Sequence, residues 1–378
     1  MSRIPIPAIP DDLTPDWLTT VLREAGVLDE ATVTSLSTTI IGQEYGFTGI
    51  VTRVTPEYDR VEPDAPASIV AKFPNAAGES LSAYRETVQR DPVGARRYYE
   101  RCAREIWFYQ QIKPLSAVLT PEMYYGAADL DEGRFVLLLQ DLGAMRMGDA
   151  LTGCPASDAG AVLRAAGTLH AGWWRDPRLD TFSWLTDWAG DLDARHERYN
   201  RGVEPFLKRW RDRLPAEIRQ LVINLRPVYR EVVAELVEAP ETLIHTDLHL
   251  DNIAFDGSNA ATVIDWQGIS RGPAAIDLAA FLSASLDSDT RRATESDLLR
   301  VYHELLIAHG VTDYSHDQLW RDYRLALLCI LANIVNWLGS VNLDNLAGRE
   351  LALTRAFIDD DWFFSTVMDN RAGELLAR

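Results

Sequence analysis

The sequence is poor in cysteine, in long apolar runs and in positive charge. Three cysteines, Cys102, Cys154 and Cys329, are spread over 378 residues and form no CxxC pair. This spacing offers neither a disulfide framework nor a thiolate zinc site. We therefore expect a protein of a reducing compartment, the cytoplasm.

No apolar run is long enough to cross a bilayer comfortably. The longest, Leu325–Leu338, is interrupted by Asn333 and Asn336, whereas a spanning helix needs about 20 predominantly apolar residues. We predict a buried core helix there. The first ten residues also lack the continuous apolar segment of a secretory signal. Together these features predict a protein that does not act at a membrane.

Positive charge is scarce, because 37 Lys and Arg stand against 56 Asp and Glu, for a net charge of −19. A uniformly acidic chain repels phosphate backbones and anionic lipid. This argues against a general nucleic-acid or membrane-surface binder, although a locally basic anion site is compatible with it. The hydrophobic share of 47% is ordinary for a globular protein.

The apolar pattern divides the chain into a β-rich first third and an α-rich remainder. A proline-containing arm and a helix occupy residues 1–32, and residues 33–141 contain five predicted strands and an amphipathic helix over 94–112. Long helical segments dominate residues 142–378. We predict an α+β fold with two lobes: a β-rich N-terminal lobe with an antiparallel sheet and one main helix, and a mostly α-helical C-terminal lobe.

One β interruption lies within the helical part, and polar residues cluster on it. Residues 245–268 contain a strand end, a small hairpin and three oxygen-bearing side chains, Asp247, Asn252 and Asp265. Such side chains on short loops suit Mg²⁺, which binds hard oxygen ligands together with phosphate and water. Taken singly, Asp and Asn also make turns by hydrogen bonding to their own backbone. The composite pattern therefore carries the prediction.

The order of these residues resembles the catalytic core of the kinase superfamily, in its aminoglycoside phosphotransferase and choline kinase branch with the ecdysteroid-kinase-like relatives. His-Thr-Asp at 245–247 is followed by Asn252 five positions after the aspartate, and Asp265 follows a short hairpin. The stretch 271–279 is also typical of this branch. The resemblance implies a two-lobed protein-kinase-like fold that transfers the γ-phosphoryl group of ATP to a hydroxyl.

The resemblance also implies a role for each site residue. Asp247 would orient the acceptor hydroxyl and take its proton, while Asn252 and Asp265 would hold Mg²⁺. Lys72, on the third predicted strand, would contact the phosphates of ATP. Glu105, on the helix of the first lobe, would hold this lysine in place.

Further contacts are implied at the edges of the nucleotide site. The segment 137–142 matches the hinge of this branch, the connection after the fifth strand whose backbone groups bind adenine. Gln140 and Leu142 are the candidate contacts. Gly46 lies where a phosphate-covering loop is expected, although a flexible hairpin turn has similar glycine spacing. Asp277 is expected to brace the catalytic loop from a buried position.

Two alternatives stay open. The first is zinc hydrolysis, because His245, Asp247 and His249 form an HxDxH string. No third histidine-rich segment completes such a site, and His170 is expected to pack structurally. The second is a nucleotide-binding pseudokinase or scaffolding protein without turnover, against which the complete set of site residues argues.

The acceptor is expected to be a small molecule. Eleven residues between Asp265 and Asp277 leave little room for a peptide dock, whereas residues 143–243 separate the hinge from the catalytic loop and suggest a helical cap. The cap contains five tryptophans and three aspartates, Trp173, Trp174, Trp184, Trp188, Trp210, Asp187, Asp191 and Asp193. Tryptophans around a pocket would suit an apolar hydroxylated substrate, and aspartates a cationic amine. The sequence leaves both open.

Overall fold

A computed structural model of the chain describes residues 4–41, 49–74, 92–346 and 348–376. The first part is an antiparallel sheet in the order β1-β2-β3-β5-β4. Its strands are β1 (Val33–Ile41), β2 (Gly49–Tyr58), β3 (Ile69–Pro74), β4 (Met123–Asp129) and β5 (Arg134–Gln140). All five predicted strands are therefore present. Lys72 lies on the central strand β3, where it is paired with Val51 on β2 and Leu137 on β5.

The sheet is buried on both faces because successive side chains of its central strands point to opposite sides. Val136 and Leu138 pack with the N-terminal helix α1 (Pro15–Glu24), whose Trp17 and Leu18 are buried in the same cluster. On β5, the intervening residues Phe135, Leu137 and Leu139 belong to the main core instead. The N-terminal arm and α1 thus cover the outer face of the sheet.

Helix α2 (Pro92–Trp107) continues into a π-helical turn at Phe108–Ile112 and packs on the inner face of the sheet. The predicted amphipathic stripe is confirmed, because Tyr98, Cys102 and Ile106 are all buried. Glu105 is also fully buried, beside this stripe. The helix therefore brings a carboxylate under the sheet at the level of Lys72.

The remainder is mainly helical. Its helices are α3 (Ala156–Gly172), α4 (Leu192–Trp210), α5 (Ala216–Leu236), α6 (Ala275–Ser285), α7 (Ser288–Ala308), α8 (His316–Ser340), α9 (Gly348–Asp359) and α10 (Trp362–Asp369). Its strands are β6 (Arg146–Met147), β7 (Thr186–Asp187), β8 (Glu241–Ile244), β9 (Ile253–Phe255), β10 (Ala261–Val263) and β11 (Ser270–Pro273). They form two small sheets, in the orders β10-β9-β6 and β7-β11-β8. The predicted interruption at 245–268 is the loop and hairpin that follow β8.

Helix α8 is the central helix of this part and packs against α4, α5 and α6. It is long and apolar enough to cross a membrane, yet 67% of its most apolar window is buried inside the protein. The predicted core helix is confirmed. Gly202 on α4 lets α4 approach α8 closely, since a Cβ there would lie 2.5 Å from the Cα of Asn336. This crossing fixes the position of α8.

The predicted lobe boundaries stay a prediction. The last strand of the large sheet ends at Gln140, next to the predicted boundary at 141. However, residues of α2 and β5 share one buried cluster with the C-terminal helices. Cys102, Cys154 and Cys329 are all unbridged.

Candidate active site

The loop after β8 is held by Asp277, which is fully buried near the start of α6. One carboxylate oxygen accepts a 2.7 Å hydrogen bond from the main-chain N–H of His245, and the other accepts one of 2.8 Å from Thr246. The His170 ring lies 3.2 Å away, with its other nitrogen 2.8 Å from the Tyr302 hydroxyl. The structure therefore has Asp277 in the predicted bracing position and His170 as a structural residue.

This brace supports an unfavourable backbone conformation at the turn. Thr246 has a φ of 69°, in the left-handed region that is costly for a β-branched residue. Its hydroxyl donates a 2.8 Å hydrogen bond to the main-chain oxygen of Gly268, which ties the loop to the segment after β10. The chain then turns so that Asp247 points into a cleft, with 47% of its side chain exposed.

Asn252 is fixed against the same loop. Its Nδ2 donates a 2.9 Å hydrogen bond to the main-chain oxygen of Asp247 and lies 3.1 Å from Nε2 of His249. The amide nitrogen is thereby occupied by protein groups. Among the described residues, none donates a hydrogen bond to the amide oxygen of Asn252. That oxygen is available to a ligand in the cleft that Asn252 lines.

Lys72, Glu105 and Asp265 form a buried ionic cluster. The Lys72 ammonium lies 2.8 and 2.9 Å from the two carboxylate oxygens of Glu105, and 3.3 Å from Oδ1 of Asp265. The cluster joins the central strand of the sheet, helix α2 and the segment after β10. Two of the predicted nucleotide-binding residues therefore meet one of the predicted metal-binding residues.

The pKa values in this cluster follow from burial and mutual attraction. Burial alone would lower the pKa of Lys72, but the carboxylates of Asp265 and Glu105 outweigh it and raise the pKa above its ordinary value. Burial would raise the pKa of Asp265, yet the charges of Lys72 and Arg101 hold it below its ordinary value. Lys72 and Asp265 are thus an ion pair at neutral pH.

A stacked aromatic pair positions Asp265. Asp265 has a φ of 63°, so the chain reverses there in a left-handed conformation. The adjacent Trp266 stacks on Phe108, with ring centroids 4.0 Å apart and planes 9° apart. Because Phe108 opens the π-helical turn after α2, the same helix that supplies Glu105 also holds the Asp265 segment.

The predicted hinge leaves β5 beside a well-anchored carboxylate. Asp141 accepts hydrogen bonds of 2.6 Å from Arg53 and 2.7 Å from the Ser68 hydroxyl. The side-chain oxygen of Gln140 is engaged by the main-chain N–H of Glu122 at 3.3 Å. Within the described part of the chain, the main-chain N–H of Leu142 donates no hydrogen bond. That group is free for a nucleotide contact, whereas Gly46 lies outside the described residues.

The zinc alternative gains no support from the histidines. His245 donates from Nε2 to the main-chain oxygen of Ile264 at 3.0 Å, and its Nδ1 is buried. His249 instead lies 3.7 Å from the carboxylate of Asp247. The two rings therefore have different partners. In the described ranges, no group of three His, Cys, Asp or Glu side chains is arranged to hold a metal ion.

The donor set fits Mg²⁺ better than zinc. Asn252 and Asp265 line one cleft with an amide oxygen and a carboxylate, and hard oxygen donors are the ligands that Mg²⁺ prefers. Mg²⁺ commonly takes one or two protein carboxylates and completes its shell with water and substrate phosphates. With Asn252 and Asp265 as its two protein ligands, the site would meet that requirement.

Arg101 is a cleft residue that the sequence analysis missed. It lies on α2 one helical turn before Glu105 and lines the cleft together with Asp247, Asn252 and Asp265. In the described ranges its guanidinium has no ion pair, and its Nε is buried without a hydrogen-bond partner. The helical spacing to Glu105 could have revealed it, because residues i and i+4 share a helix face.

The cleft has a volume of about 440 Å³, and its apolar wall differs from expectation. None of the five cap tryptophans lines it, and Trp173, Trp188 and Trp210 are buried in the core. Residues 143–243 supply only Ala150 to the described lining, because α4 and α5 turn their apolar faces onto α8. The predicted cap therefore contributes little to the described lining, and its role in covering the acceptor stays a prediction. The C-terminal helices form the wall instead.

This chain resembles a known protein family in sequence and known structures in fold. A model of the phosphotransferase enzyme family matches residues 79–318, and no curated protein sequence matches the chain. The GDP complex of a mutant aminoglycoside 2′-phosphotransferase is 14% identical, covering 96% of this chain and 98% of that chain with a TM-score of 0.51. Choline kinase from Cryptosporidium parvum is 10% identical, covering 96% of this chain and 99% of that chain, also with a TM-score of 0.51. These likenesses confirm the two-lobed, protein-kinase-like α+β fold.

The Asp277 brace generates a stability prediction. Asp277→Ala leaves two buried main-chain N–H groups without an acceptor, so we expect the free energy of unfolding to fall by about 3 kcal/mol, measured through the thermal unfolding midpoint. The matched control is Asp191→Ala, because Asp191 also accepts from two main-chain N–H groups but at the exposed start of α4. Its loss should be about 1 kcal/mol. Equal losses would show that Asp277 is no brace.

Proposed function

The chain belongs to the phosphotransferase enzyme family and is a small-molecule kinase, and from this premise we propose that it moves the γ-phosphoryl group of ATP, with Mg²⁺, to a hydroxyl of its acceptor. One observation carries the proposal. The Lys72–Glu105–Asp265 cluster reaches the cleft through Asp265, and Asn252 and the exposed carboxylate of Asp247 line the same cleft. A candidate metal ligand and a candidate base therefore face the same space, and Lys72 lies directly behind that ligand.

The charges around the cleft argue for a metal-dependent nucleotide. At the ionic cluster and beside Asp247, Lys72 and Arg101 supply two positive charges and Glu105, Asp247 and Asp265 supply three negative ones. The lining also contains the carboxylates of Asp251 and Asp360. A polyanionic nucleotide would be repelled by this excess of carboxylate unless a divalent cation accompanied it. Mg²⁺ held by Asn252 and Asp265 would supply that charge neutralisation.

The nucleotide would lie between the hinge and the ionic cluster. The main-chain N–H of Leu142, two residues after β5, has no hydrogen-bond partner among the described residues and is the proposed adenine contact. Lys72 is proposed to contact the α- and β-phosphates while Glu105 holds its side chain in place. The anchoring of Asp141 by Arg53 and Ser68 would keep the hinge in position.

Transfer then requires a positioned hydroxyl. The acceptor oxygen bonds to the γ-phosphorus as the bond from that phosphorus to the β-phosphate oxygen breaks, and ADP leaves with the electron pair. The proton of the hydroxyl goes to the carboxylate of Asp247. Asn252 keeps the loop in place by its hydrogen bond to the main chain of Asp247. Most of the catalysis would come from positioning and from stabilising negative charge.

Arg101 is proposed to stabilise the transferred group. Negative charge spreads over the oxygens of the γ-phosphoryl group in the transition state. The Arg101 guanidinium, which forms no ion pair within the described ranges and lies in the cleft that Asp247 lines, can stabilise that charge. Because α2 is fixed through Glu105, Arg101 would be held in place before the reaction begins.

The role of Asp247 is tested by Asp247→Asn, which keeps the shape of the side chain but removes the base. We expect Mg-ATP affinity to be retained and ADP release with an acceptor to fall by about 10²- to 10⁴-fold. Asp256→Asn is the control, because Asp256 is exposed in the β9–β10 turn outside the cleft. An Asp247→Asn protein with normal transfer would refute the assignment.

Asp265→Asn tests the metal site. The substitution removes a charged ligand of the metal. In the presence of Mg²⁺, we therefore expect the variant to bind ATP more weakly than the unchanged protein. The gain in ATP affinity that Mg²⁺ produces should also be smaller in the variant. Isothermal calorimetry measures both, and GTP can be titrated in parallel. If Mg²⁺ strengthens nucleotide binding equally in both proteins, Asp265 is not a metal ligand.

Arg101→Met tests the proposed charge stabilisation. We expect kcat to fall by about a hundredfold, as for loss of one preorganised donor to a transition state, with a much smaller change in ATP affinity. Arg104→Met removes a cation from the same helix, and Arg104 does not line the cleft. Its kcat should change little. A similar loss in both variants would point to a general effect of helix charge.

A further inference from the structure

We propose that the acceptor is an uncharged, largely apolar alcohol of drug-like size, held in the cleft with its hydroxyl towards Asp247. This inference rests on the proposed phosphoryl transfer and adds the chemical class of the acceptor. An acceptor of this class would differ from those of kinases that phosphorylate amino sugars or small amines.

The space is made by small residues on one helix facing large ones on another. Helix α6 presents Ala280, Ser283 and Ala284, whose spacing puts them on one face. Helix α8 presents Ile334 and Trp337 to the same space, again at helical spacing. The small side chains leave a volume that the large ones do not fill. At about 440 Å³, the cleft is within the usual range for small-molecule sites.

Two short helices complete the apolar wall. Helix α9 contributes Leu353 and Phe357, which are four residues apart and so share a face. Asp361, with a φ of 57°, turns the chain sharply between α9 and α10. This turn brings Trp362 and Phe363 to the cleft. The acceptor would therefore meet aliphatic and aromatic carbon over most of its surface.

The carboxylates around the cleft are too few for a polycation. Asp251 is bound by Arg349, with 2.5 Å between Nη2 and Oδ1, and Asp265 is paired with Lys72. Apart from Asp247, this leaves Asp360 as the unpaired carboxylate of the described lining. Amino sugars carry several ammonium groups, and each would lose its hydration against apolar side chains without a partner.

A quaternary amine is the other class of acceptor that an aromatic wall can attract, because aromatic side chains bind cations through their faces. The rings of Trp337 and Phe357 meet edge to face at 5.5 Å and 89°, so part of their surface is used on each other. Aliphatic Ile334 and Leu353 lie in the same lining and provide no such attraction. The cleft is also much larger than a single small ammonium needs. A bulky apolar alcohol fits both features better.

The family likeness does not decide the acceptor. The matched region of the phosphotransferase family ends at residue 318, whereas the wall residues of α8, α9 and α10 all come after it. The catalytic loop and the small residues of α6 lie inside the matched region, whereas the large apolar residues of the wall lie outside it. The acceptor class therefore has to be inferred from the wall itself.

Binding and transfer are measured separately on the full chain. Calorimetry, with Mg²⁺ and a non-hydrolysable ATP analogue present, is run with a sterol alcohol, a macrolide, a hydroxyacyl ester, kanamycin and choline. ADP release is measured with the same compounds and ATP. We expect at least one of the three apolar alcohols to bind and to accelerate ADP release at least about tenfold over water. Kanamycin and choline should do neither.

A charge placed in the wall gives the sharper test. Ala356 lines the cleft and is partly exposed on α9. Ala356→Asp should raise the KM of the apolar alcohol about tenfold or more because a carboxylate would be desolvated against it, with Mg-ATP affinity unchanged. Ala356→Asn separates charge from polarity, and Ala216→Asp introduces the same carboxylate at an exposed site on α5 outside the cleft.

The outcomes separate this inference from the proposed function. Binding of an apolar alcohol that Ala356→Asp weakens supports the inference, even if no ADP is released, in which case the proposed transfer fails. If kanamycin or choline binds and no apolar alcohol does, the inferred acceptor class is overturned. Phosphoryl transfer to kanamycin or choline would still uphold the proposed function. The inferred acceptor class is also overturned if Ala356→Asp binds cations more tightly than the unchanged protein and binds alcohols equally well. Failure of every alcohol to bind overturns it too.

Discussion

The buried Lys72 ammonium is the interaction on which the site depends. Isolated burial of a charge is costly, and removal of one partner from a buried ion pair costs roughly 3–5 kcal/mol. Here one ammonium is shared by Glu105 and Asp265. Each of the three lies on a different element, so the cost of separating them holds the sheet, α2 and the segment after β10 in one arrangement. The ionic cluster thus acts as a structural constraint as well as a proposed binding site.

A second constraint acts on the catalytic loop itself. The left-handed backbone at Thr246 is unfavourable and persists only because surrounding contacts determine it. Asp277 provides those contacts by accepting hydrogen bonds from two successive N–H groups. The loop is therefore held in place next to Asp247, the proposed base. Strain of this kind is expected at sites where a side chain has to be presented before the ligand arrives.

The sequence predicted the parts of the site that depend on local spacing. The predicted catalytic and metal-binding residues lie on one short segment, so their order alone indicated a shared site, and runs of β-forming residues located all five strands of the large sheet. Lysine is also rare, since the chain contains only Lys72, Lys113 and Lys208. A lysine on a buried strand of so arginine-rich a protein was therefore a stronger signal than its spacing suggested.

Tertiary packing decided what the sequence did not predict. The apolar run of α8 indicated a core helix correctly, but Leu331 is buried in the core whereas Ile334 faces the cleft, and no local pattern distinguishes them. The cap tryptophans were equally ambiguous, because a tryptophan lining a pocket and one filling a core have the same spacing. Arg101 was overlooked because its significance depends on the position of α2 relative to Asp265.

In the proposed reaction, phosphoryl transfer and acceptor recognition depend on different physical interactions. Phosphoryl transfer depends on charged groups whose geometry tolerates little change, because each buried charge needs its partner. Acceptor recognition depends on apolar packing at residues such as Trp337 and Phe357, where side chains of similar volume can replace one another at modest cost. The acceptor can thus change while the ionic cluster stays the same. A shared catalytic core consequently specifies the kind of bond that is made, and the C-terminal helices specify the molecule that receives it.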